Sequence, residues 1–126
     1  MENRRTSQGS AIKKVIRDAN GPLRPLEILE LASRVVPTLG IATVYRQLRR
    51  LQDSGEVRAV DLSVNDVRYE LTDRGHHHHF LCSECEEAFD IHGCAEGISE
   101  MVPPGFTIQT HEITLYGQCD ECRTEK

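Results

Sequence analysis

The stretch that decides the fold is Arg74–Cys85, RGHHHHFLCSEC, in which four consecutive histidines run into a Cys-x-x-Cys pair. A second pair with the same spacing lies near the C-terminal end of the sequence. Zn²⁺ favours four tetrahedral ligands, and thiolate is among its best. The two pairs therefore predict a structural zinc site, with a small folded unit in the 33 residues between them. The predicted ligands are Cys82, Cys85, Cys119 and Cys122.

The alternative for these cysteines is two disulfides or four free thiols. The N-terminal sequence, MENRRTSQGS, is charged and lacks the apolar region of a secretion signal, and no apolar run approaches the length of a membrane span. We therefore expect a cytoplasmic protein with no membrane partner, where paired cysteines bind metal more often than they form disulfides. The fifth cysteine, Cys94, is expected to be a buried free thiol or a further ligand.

The histidine run predicts a second, exchangeable metal beside the structural one. Successive side chains of a strand point to opposite faces, so residues 76–79 can serve two different sites. Neutral imidazole is a favoured ligand of zinc and of several other divalent transition metals. A solvated polar edge is the alternative, whereas an expression tag is disfavoured because the run is internal. The candidate completing ligands are Glu70, Asp90, Glu96 and His111.

Charge is divided unevenly along the 126 residues, whose formal net charge is −5. Residues 1–60 contain 11 Lys and Arg against 6 Asp and Glu, whereas residues 61–126 contain 4 against 14. A basic half can approach a polyanion such as DNA, and an acidic half is repelled by it. This asymmetry predicts a DNA-binding segment in the first half, with two merely solvated surfaces as the alternative.

Three short helices are predicted before residue 55. Apolar residues recur at helical spacing over residues 7–19, 25–36 and 41–54. Three such helices with tight turns, the last one basic, predict a helix-turn-helix. The predicted buried stripe of the second helix is Leu26, Leu29, Ala32 and Val36. That of the third is Val44, Leu48 and Leu51, followed by Gly55 as a left-handed cap.

Two strand-like runs, residues 56–62 and 67–71, follow and are joined by a turn at residues 63–66. They predict a hairpin, which directly after a helix-turn-helix would be the wing of a winged helix. The residues expected to share a face are Val57 and Ala59 on the first strand and Val67, Tyr69 and Leu71 on the second.

A polar connector, residues 73–75, is the predicted hinge between a DNA-binding domain, residues 1–72, and a metal-binding domain, residues 76–126. In the second domain we expect strands around residues 78–82, 88–91 and 106–116 and a helix at residues 95–101. The predicted fold class is therefore α+β, with a winged helix-turn-helix followed by a small α/β domain.

Together these residues resemble the Fur (ferric uptake regulator) family of metal-sensing bacterial repressors over nearly the whole chain. The motifs that carry the resemblance are Arg5-Thr6-x-Gln8, Ile41–Arg46 (IATVYR), Tyr69-Glu70-Leu71, the histidine run with its cysteine pairs, His111 and Leu115-Tyr116-Gly117. The resemblance implies a homodimer that binds double-stranded DNA at an AT-rich palindromic operator. It also implies that residues 76–126 form the dimerisation domain.

The family's site residues can be carried over by position. Tyr45 and Arg46 would contact DNA on the recognition helix, where Thr43 also lies. We expect Arg49 and Lys13 to neutralise phosphates. The implied hinge sensing site consists of Glu70, His77, His79 and Asp90. The implied second regulatory site consists of His76, His78, His111 and an acidic residue, for which we predict Glu96, with Cys94 and Glu100 as alternatives.

Three departures from the family pattern bear on the sensed metal. The loop at residues 20–24 offers no strong hinge ligand, His78 stands where iron sensors often have Asp, and the segment after Asp90 is shortened. The additional imidazole and thiolate favour zinc slightly over iron, which is the pattern of a zinc uptake regulator, with manganese or nickel as further options.

Other functions are alternatives to a metal-responsive repressor. The nearest is an iron-dependent peroxide-sensing repressor, and a metal storage or delivery protein is another. A zinc-dependent hydrolase is remote, because the sequence has neither an HExxH pattern nor a deaminase-type H-x-E with P-C-x-x-C. We therefore predict a regulator that is not an enzyme.

Overall fold

The computed structural model describes residues 4–63 and 65–124. The chain divides into two compact units, and the division falls between Gly75 and His76. The N-terminal unit contains three helices and a hairpin, and the C-terminal unit contains a three-stranded sheet and a short helix. This arrangement confirms the predicted α+β class. None of the described helices combines the length and the apolar character that a membrane span requires.

Three helices of the N-terminal unit close around one hydrophobic core. They are α1 (Arg4–Asp18), α2 (Pro25–Ala32) and α3 (Ile41–Asp53). Val44, Leu48 and Leu51 of α3 are buried together with Ile12 of α1, which confirms the predicted stripe of the third helix. Gly55 follows with a φ of 81°, a left-handed conformation that glycine adopts without steric cost, as predicted for the cap.

The predicted stripe of α2 is wrong at Leu26, which is 69% exposed. The buried residues of this helix are Ile28 and Ala32, which are about one turn apart. Since Leu26 precedes Ile28 by two positions, its side chain lies about 200° away around the helix axis. Leu29 packs against the core as predicted, and Val36 does so from beyond the end of the helix.

Strands β1 (Val57–Ser63) and β2 (Asp66–Leu71) form the predicted antiparallel hairpin. Its turn includes Val64, which lies outside the described residues. At the base of the hairpin Val57 pairs with Leu71, and both side chains are buried. Ala59 and Val67 are exposed, so the predicted shared face is wrong towards the tip. The reason is that the hydrophobic core extends only to the base.

The opposite face of β2 buries charge. Asp66 accepts hydrogen bonds from the Nε groups of Arg24 and Arg68, each over 2.9 Å to Oδ1. Burial alone would raise the pKa of Asp66, but the hydrogen bonds from the two guanidinium groups hold this pKa at about 2. A search for alternating apolar residues does not detect such a face, because its buried residues are charged and paired.

The C-terminal unit is built on a mixed sheet in which β3 is the central strand. Its strands are β3 (His78–Cys82), β4 (Ala88–Ile91) and β5 (Thr114–Gly117). Strand β4 pairs with β3 in the antiparallel direction, and β5 pairs with β3 in the parallel direction. A short helix, α4 (Asp120–Thr124), follows the sheet and was not predicted.

Two elements predicted for this unit are wrong in extent. The strand expected over residues 106–116 is confined to Thr114–Gly117, because the short central strand offers only four residues for pairing with it. The helix expected over residues 95–101 is a single 3₁₀ turn, Ile98–Glu100. Gly97 before this turn is left-handed, with a φ of 82°, and Pro103 and Pro104 follow it, so neither side can extend a helix.

Candidate metal centres and nucleic-acid interface

The first metal centre lies where the C-terminal end of β3 meets the segment after β5. Cys82 ends β3 and Cys85 lies in the turn that follows, while the parallel pairing of Cys82 with Gly117 brings the second cysteine pair alongside. All four Sγ atoms lie within 4.8 Å of one another, and those of Cys85 and Cys119 are 3.8 Å apart. A tetrahedral zinc with bonds of about 2.3 Å places its sulfurs about 3.8 Å apart, so the predicted set fits zinc.

Electrostatics of this centre favour a bound cation. The backbone N–H groups of Cys85 and Cys119 donate to Cys82 Sγ over 3.5 and 3.4 Å. These hydrogen bonds lower the pKa of the Cys82 thiol to about 6, so it is largely thiolate at neutral pH. The neighbouring sulfurs of Cys119 and Cys82 raise the pKa of Cys122. Four thiolates therefore need a metal to neutralise their mutual repulsion.

A second donor set lies at the other end of β3. His79 pairs with Asp90 of β4 across the sheet, and His77 is two positions earlier on the same face. The Nε2 atoms of His77 and His79 lie 3.7 and 3.9 Å from Asp90 Oδ1. The fourth predicted ligand of this set, Glu70, belongs to β2 of the N-terminal unit. There it accepts a hydrogen bond from Arg58 Nε over 2.7 Å.

The alternate histidines of the run belong to a third set. His76, His78, Cys94 and His111 bring their ligand atoms within 4.8 Å of one another. Cys94 Sγ lies 3.0 Å from the Nε2 atom of His111 and 3.4 Å from that of His78. Among the donor groups that the described residues form, this set includes Cys94, which was an alternative to the predicted Glu96. It contains neither Glu96 nor Glu100. The prediction of a buried thiol at Cys94 is wrong, because this residue lies in an exposed loop.

His78 is poised as a neutral imidazole. Its burial, and to a lesser extent the neighbouring histidines, lower its pKa below the usual value. The backbone N–H of Ile113 donates to His78 Nδ1 over 3.2 Å, which directs Nε2 towards Cys94. A neutral ring can act as a metal ligand, whereas a protonated one cannot.

The candidate DNA-binding residues of α3 lie away from its buried stripe. Tyr45, Arg46 and Arg49 are exposed and Thr43 is half-buried, and Arg46 Nη2 donates to Thr43 Oγ1 over 2.9 Å. Lys13, the candidate on α1, forms an ion pair of 2.7 Å with Glu56. The sequence prediction missed this pair, because its partners are 43 positions apart in the chain.

A cleft beside α3 was also missed by sequence reasoning. It has a volume of about 520 Å³ and is lined by apolar groups of Leu26, Val67 and Tyr45, the last of which is 52% exposed. Leu26 and Val67 are the residues of the predicted faces of α2 and β2 that remain exposed, and Tyr45 lies on the exposed side of α3. Their common position beside the recognition helix suggests a surface role, and the exposed apolar residues themselves are the signal that could have identified it.

Comparison with known proteins identifies the family. Residues 1–116 match the sequence model of the ferric uptake regulator family. The ferric uptake regulation protein of Campylobacter jejuni is 27% identical over 126 residues, covering 96% of this chain and 80% of that protein. The peroxide-responsive repressor PerR of Staphylococcus epidermidis is 27% identical over 124 residues, covering 95% and 81%.

A solved structure agrees with this assignment. The structure of the ferric uptake regulator from Francisella tularensis with iron superimposes with a TM-score of 0.73 at 25% identity, over 98% of this chain and 93% of that one. The fold, the four-cysteine centre and the sequence match point to one conclusion: this chain belongs to the ferric uptake regulator family.

Proposed function

We propose that this protein is a transcriptional repressor that binds its operator when His77, His79 and Asp90 hold a divalent metal. Membership of the family makes it a metal-dependent transcriptional regulator. The observation that carries the finer proposal is the alternation along β3, which gathers two donor sets in addition to the four cysteines. The four thiolates would hold a structural zinc, and the histidine sets would hold the exchangeable metal.

The exposed face of α3 supports DNA recognition. Arg46 and Arg49 supply positive charge, and Tyr45 offers an apolar ring beside the cleft that Leu26 and Val67 line. Guanidinium groups neutralise phosphates, and apolar side chains contact the methyl groups of thymine, which suits an AT-rich operator. We propose that α3 enters the major groove as the recognition helix.

We further propose that the protein is a homodimer formed through the C-terminal unit. Strand β5 is an edge strand there, and it carries Leu115 and Tyr116, the latter 62% exposed. Phe106 is also 66% exposed. Large exposed apolar side chains on an edge strand are typical of an interface between subunits. A two-fold dimer would present two recognition helices to the two half-sites of a palindromic operator.

The regulatory step would couple metal binding to the position of the wing. Glu70 lies on β2, only a few residues before the predicted hinge at 73–75, and His77 and His79 follow that hinge. We propose that Glu70 completes the set of His77, His79 and Asp90 on metal binding, which would limit the freedom of the hinge. A hundredfold preference of the metal for the DNA-binding arrangement would shift the equilibrium by about 2.7 kcal/mol.

Zinc is the proposed regulatory ion, with iron(II) as the competing one and manganese or nickel less favoured. The second candidate function is a peroxide sensor, which the likeness to PerR favours. In that case peroxide would oxidise a ligand histidine when iron is bound, and mass spectrometry would detect the added oxygen. The histidines of a zinc-regulated protein would remain unmodified under the same treatment, because zinc has no redox chemistry.

The proposed function is tested by DNA binding under controlled metal. Duplexes selected from a random pool in the presence of zinc, iron(II), manganese or nickel, without oxygen, would define the operator and the ion. The double variant His77→Ala, His79→Ala should lose metal-dependent binding and retain the structural zinc. His92→Ala removes the neighbouring exposed imidazole, whose ring centroid lies 6.4 Å from that of His77, and should leave metal-dependent binding unchanged. Metal-dependent binding that survives in the double variant would rule out this sensing site.

A further inference from the structure

We propose that His76, His78, Cys94 and His111 form a thiolate-containing regulatory site, in which Cys94 rather than an acidic side chain is the fourth ligand. This set would select zinc and cobalt over manganese and iron(II). The inference rests on the proposed function only in treating the protein as a metal sensor, since occupancy of the site is measurable without DNA.

Four donors from three separate segments converge at this point. His78 is anchored by β3 and His76 lies two positions earlier, on the same side of the chain. His111 comes from the segment before β5, and Cys94 comes from the loop after β4. The ring centroids of His76 and His78 are 4.7 Å apart, and that of His111 lies 4.8 and 5.0 Å from them.

The two separations between Cys94 and its histidine neighbours are close to those of a tetrahedral site. Zinc bonds of about 2.3 Å to sulfur and about 2.05 Å to nitrogen place the two atoms about 3.5 Å apart. Cys94 Sγ lies 3.0 Å from His111 Nε2 and 3.4 Å from His78 Nε2. These two separations therefore need to change by about half an ångström or less for one ion to bind, and all four ligand atoms already lie within 4.8 Å of one another.

The position of Cys94 settles which of three candidate side chains can serve. Glu96 and Glu100 are exposed and belong to none of the donor groups that the described residues form. Cys94 precedes Glu96 by two positions, and Gly93 before it adds no side chain to the loop. The short segment after Asp90 thus presents a sulfur where a longer one could present a carboxylate.

A sulfur ligand changes the metal preference of the set. Carboxylate suits manganese and other hard cations, whereas thiolate suits zinc and softer ions. The set of His77, His79 and Asp90 keeps a carboxylate, so the two histidine sites would differ in selectivity although they share one strand. His78 would be the weakest of the four ligands, because its Nδ1 accepts the N–H of Ile113. To bind an ion through Nε2, the neutral ring would have to carry its proton on Nδ1 and give up the hydrogen bond from Ile113.

Cobalt(II) is the probe that separates this site from the other two. Protein carrying one zinc per chain in the four-cysteine centre would be titrated with Co²⁺, and absorption would be followed in the near ultraviolet and the visible. Only a thiolate ligand produces sulfur-to-cobalt charge transfer, so the carboxylate-containing set would remain silent there. Zinc content would be measured throughout, to show that cobalt has not replaced the structural ion.

The expected result is a charge-transfer band that saturates at one Co²⁺ per chain and disappears in Cys94→Ser. We expect Cys94→Ser to weaken zinc binding at this site by roughly tenfold or more. Cys94→Asp should keep a bound ion but lose most of the preference for zinc over manganese. Glu96→Gln is the matched control and should leave both the band and the affinity unchanged.

The proposal is overturned if the wild-type protein shows no such band, if the band persists in Cys94→Ser, or if Glu96→Gln weakens binding as much as Cys94→Ser. Retention of the structural zinc in Cys94→Ser and Cys94→Asp shows that these variants are folded. If the band behaves as expected but DNA binding ignores metal, the proposed function fails and this site assignment stands.

Discussion

The two ends of β3 carry donor sets of opposite character. At its C-terminal end four like thiolates gather within 4.8 Å, and at its N-terminal end imidazoles combine with a carboxylate or with a single thiolate. Four thiolates bind zinc permanently in structural sites, whereas mixed sets of imidazole and oxygen accept several metals. One strand can therefore serve both a permanent metal site and exchangeable ones. The permanent site differs in side-chain chemistry and lies at the opposite end of the strand from the exchangeable sites. The two exchangeable sites are separated from each other because successive side chains point to opposite faces.

The largest expected effect comes from breaking the permanent centre. Cys119→Ser should remove the structural zinc and abolish cooperative unfolding of the C-terminal unit, because zinc binding to such sites contributes on the order of 10 kcal/mol. Zinc content and thermal unfolding followed by circular dichroism would measure this. Cys94→Ser, the same chemical change in the other kind of site, should keep the structural zinc. If Cys119→Ser retains its zinc, the distinction between the two ends of β3 is wrong.

The second-largest expected effect distinguishes the metal sites on the two faces of β3. His78 and His79 are adjacent, but they belong to different donor sets. His79→Ala should reduce metal-dependent DNA affinity by roughly a hundredfold, the preference proposed for the switch. His78→Ala should reduce the thiolate–cobalt signal and leave the set of His77, His79 and Asp90 intact. Fluorescence anisotropy and absorption titrations would show both, and identical behaviour of the two variants would contradict two separate sites.

A smaller effect extends the comparison to the N-terminal unit, which is held by packing and ion pairs. The pKa of Asp66 is about 2 in the folded chain against an ordinary value of 3.8, so the folded state stabilises the ionised carboxylate. Its contribution of about 2 kcal/mol is complete only above about pH 5 and is lost progressively as the pH falls from about 5 to 1. Asp66→Asn should lower the urea midpoint at pH 7 and remove this pH dependence.

The control for this prediction is Asp61→Asn, which neutralises an exposed aspartate of the same hairpin. It should leave the urea midpoint nearly unchanged, since exposed charges contribute little to stability. A chelator should not alter the effect of Asp66→Asn on the N-terminal unit. Equal loss of stability in the two variants would show that the pairing with Arg24 and Arg68 is not its cause.

The smallest expected effect concerns Lys13, which is a candidate phosphate ligand but is paired with Glu56. Glu56→Gln should release this lysine and strengthen DNA binding by less than about tenfold, with a steeper dependence on salt. Affinity measured over a series of salt concentrations would detect the change. If Lys13→Ala abolishes the gain, Lys13 is its source, and if the gain persists, Lys13 does not contact DNA.

Much of the fold could be predicted from local patterns. The stripe of Val44, Leu48 and Leu51 repeats at the period of a helix, and Gly55 follows it as a cap. The hairpin and the two strands at residues 78–82 and 88–91 were equally predictable from the sequence. The four-cysteine centre was predictable because a Cys-x-x-Cys pair is a local unit whose geometry hardly depends on the rest of the chain.

Other features were not predictable, because they depend on which surfaces the fold covers. Leu26 and Val67 fit apolar patterns but remain exposed, since the core does not extend to them. Arg68 is fully buried because Asp66 pairs with it. The segment at residues 106–112 has strand-like composition but belongs to no strand, because the central strand of the sheet pairs with Thr114–Gly117 instead.

The amino-acid sequence by itself determined which ligand atoms exist and that successive histidines of the run face opposite ways, because that alternation follows from the backbone of any strand. It likewise determined that the paired cysteines can offer four sulfur ligands to one metal ion. Only the tertiary structure decided that Cys94 joins His76, His78 and His111 while Glu96 stays outside. The course of an irregular loop has no period that a sequence reveals, and it is set by the strands on either side of it.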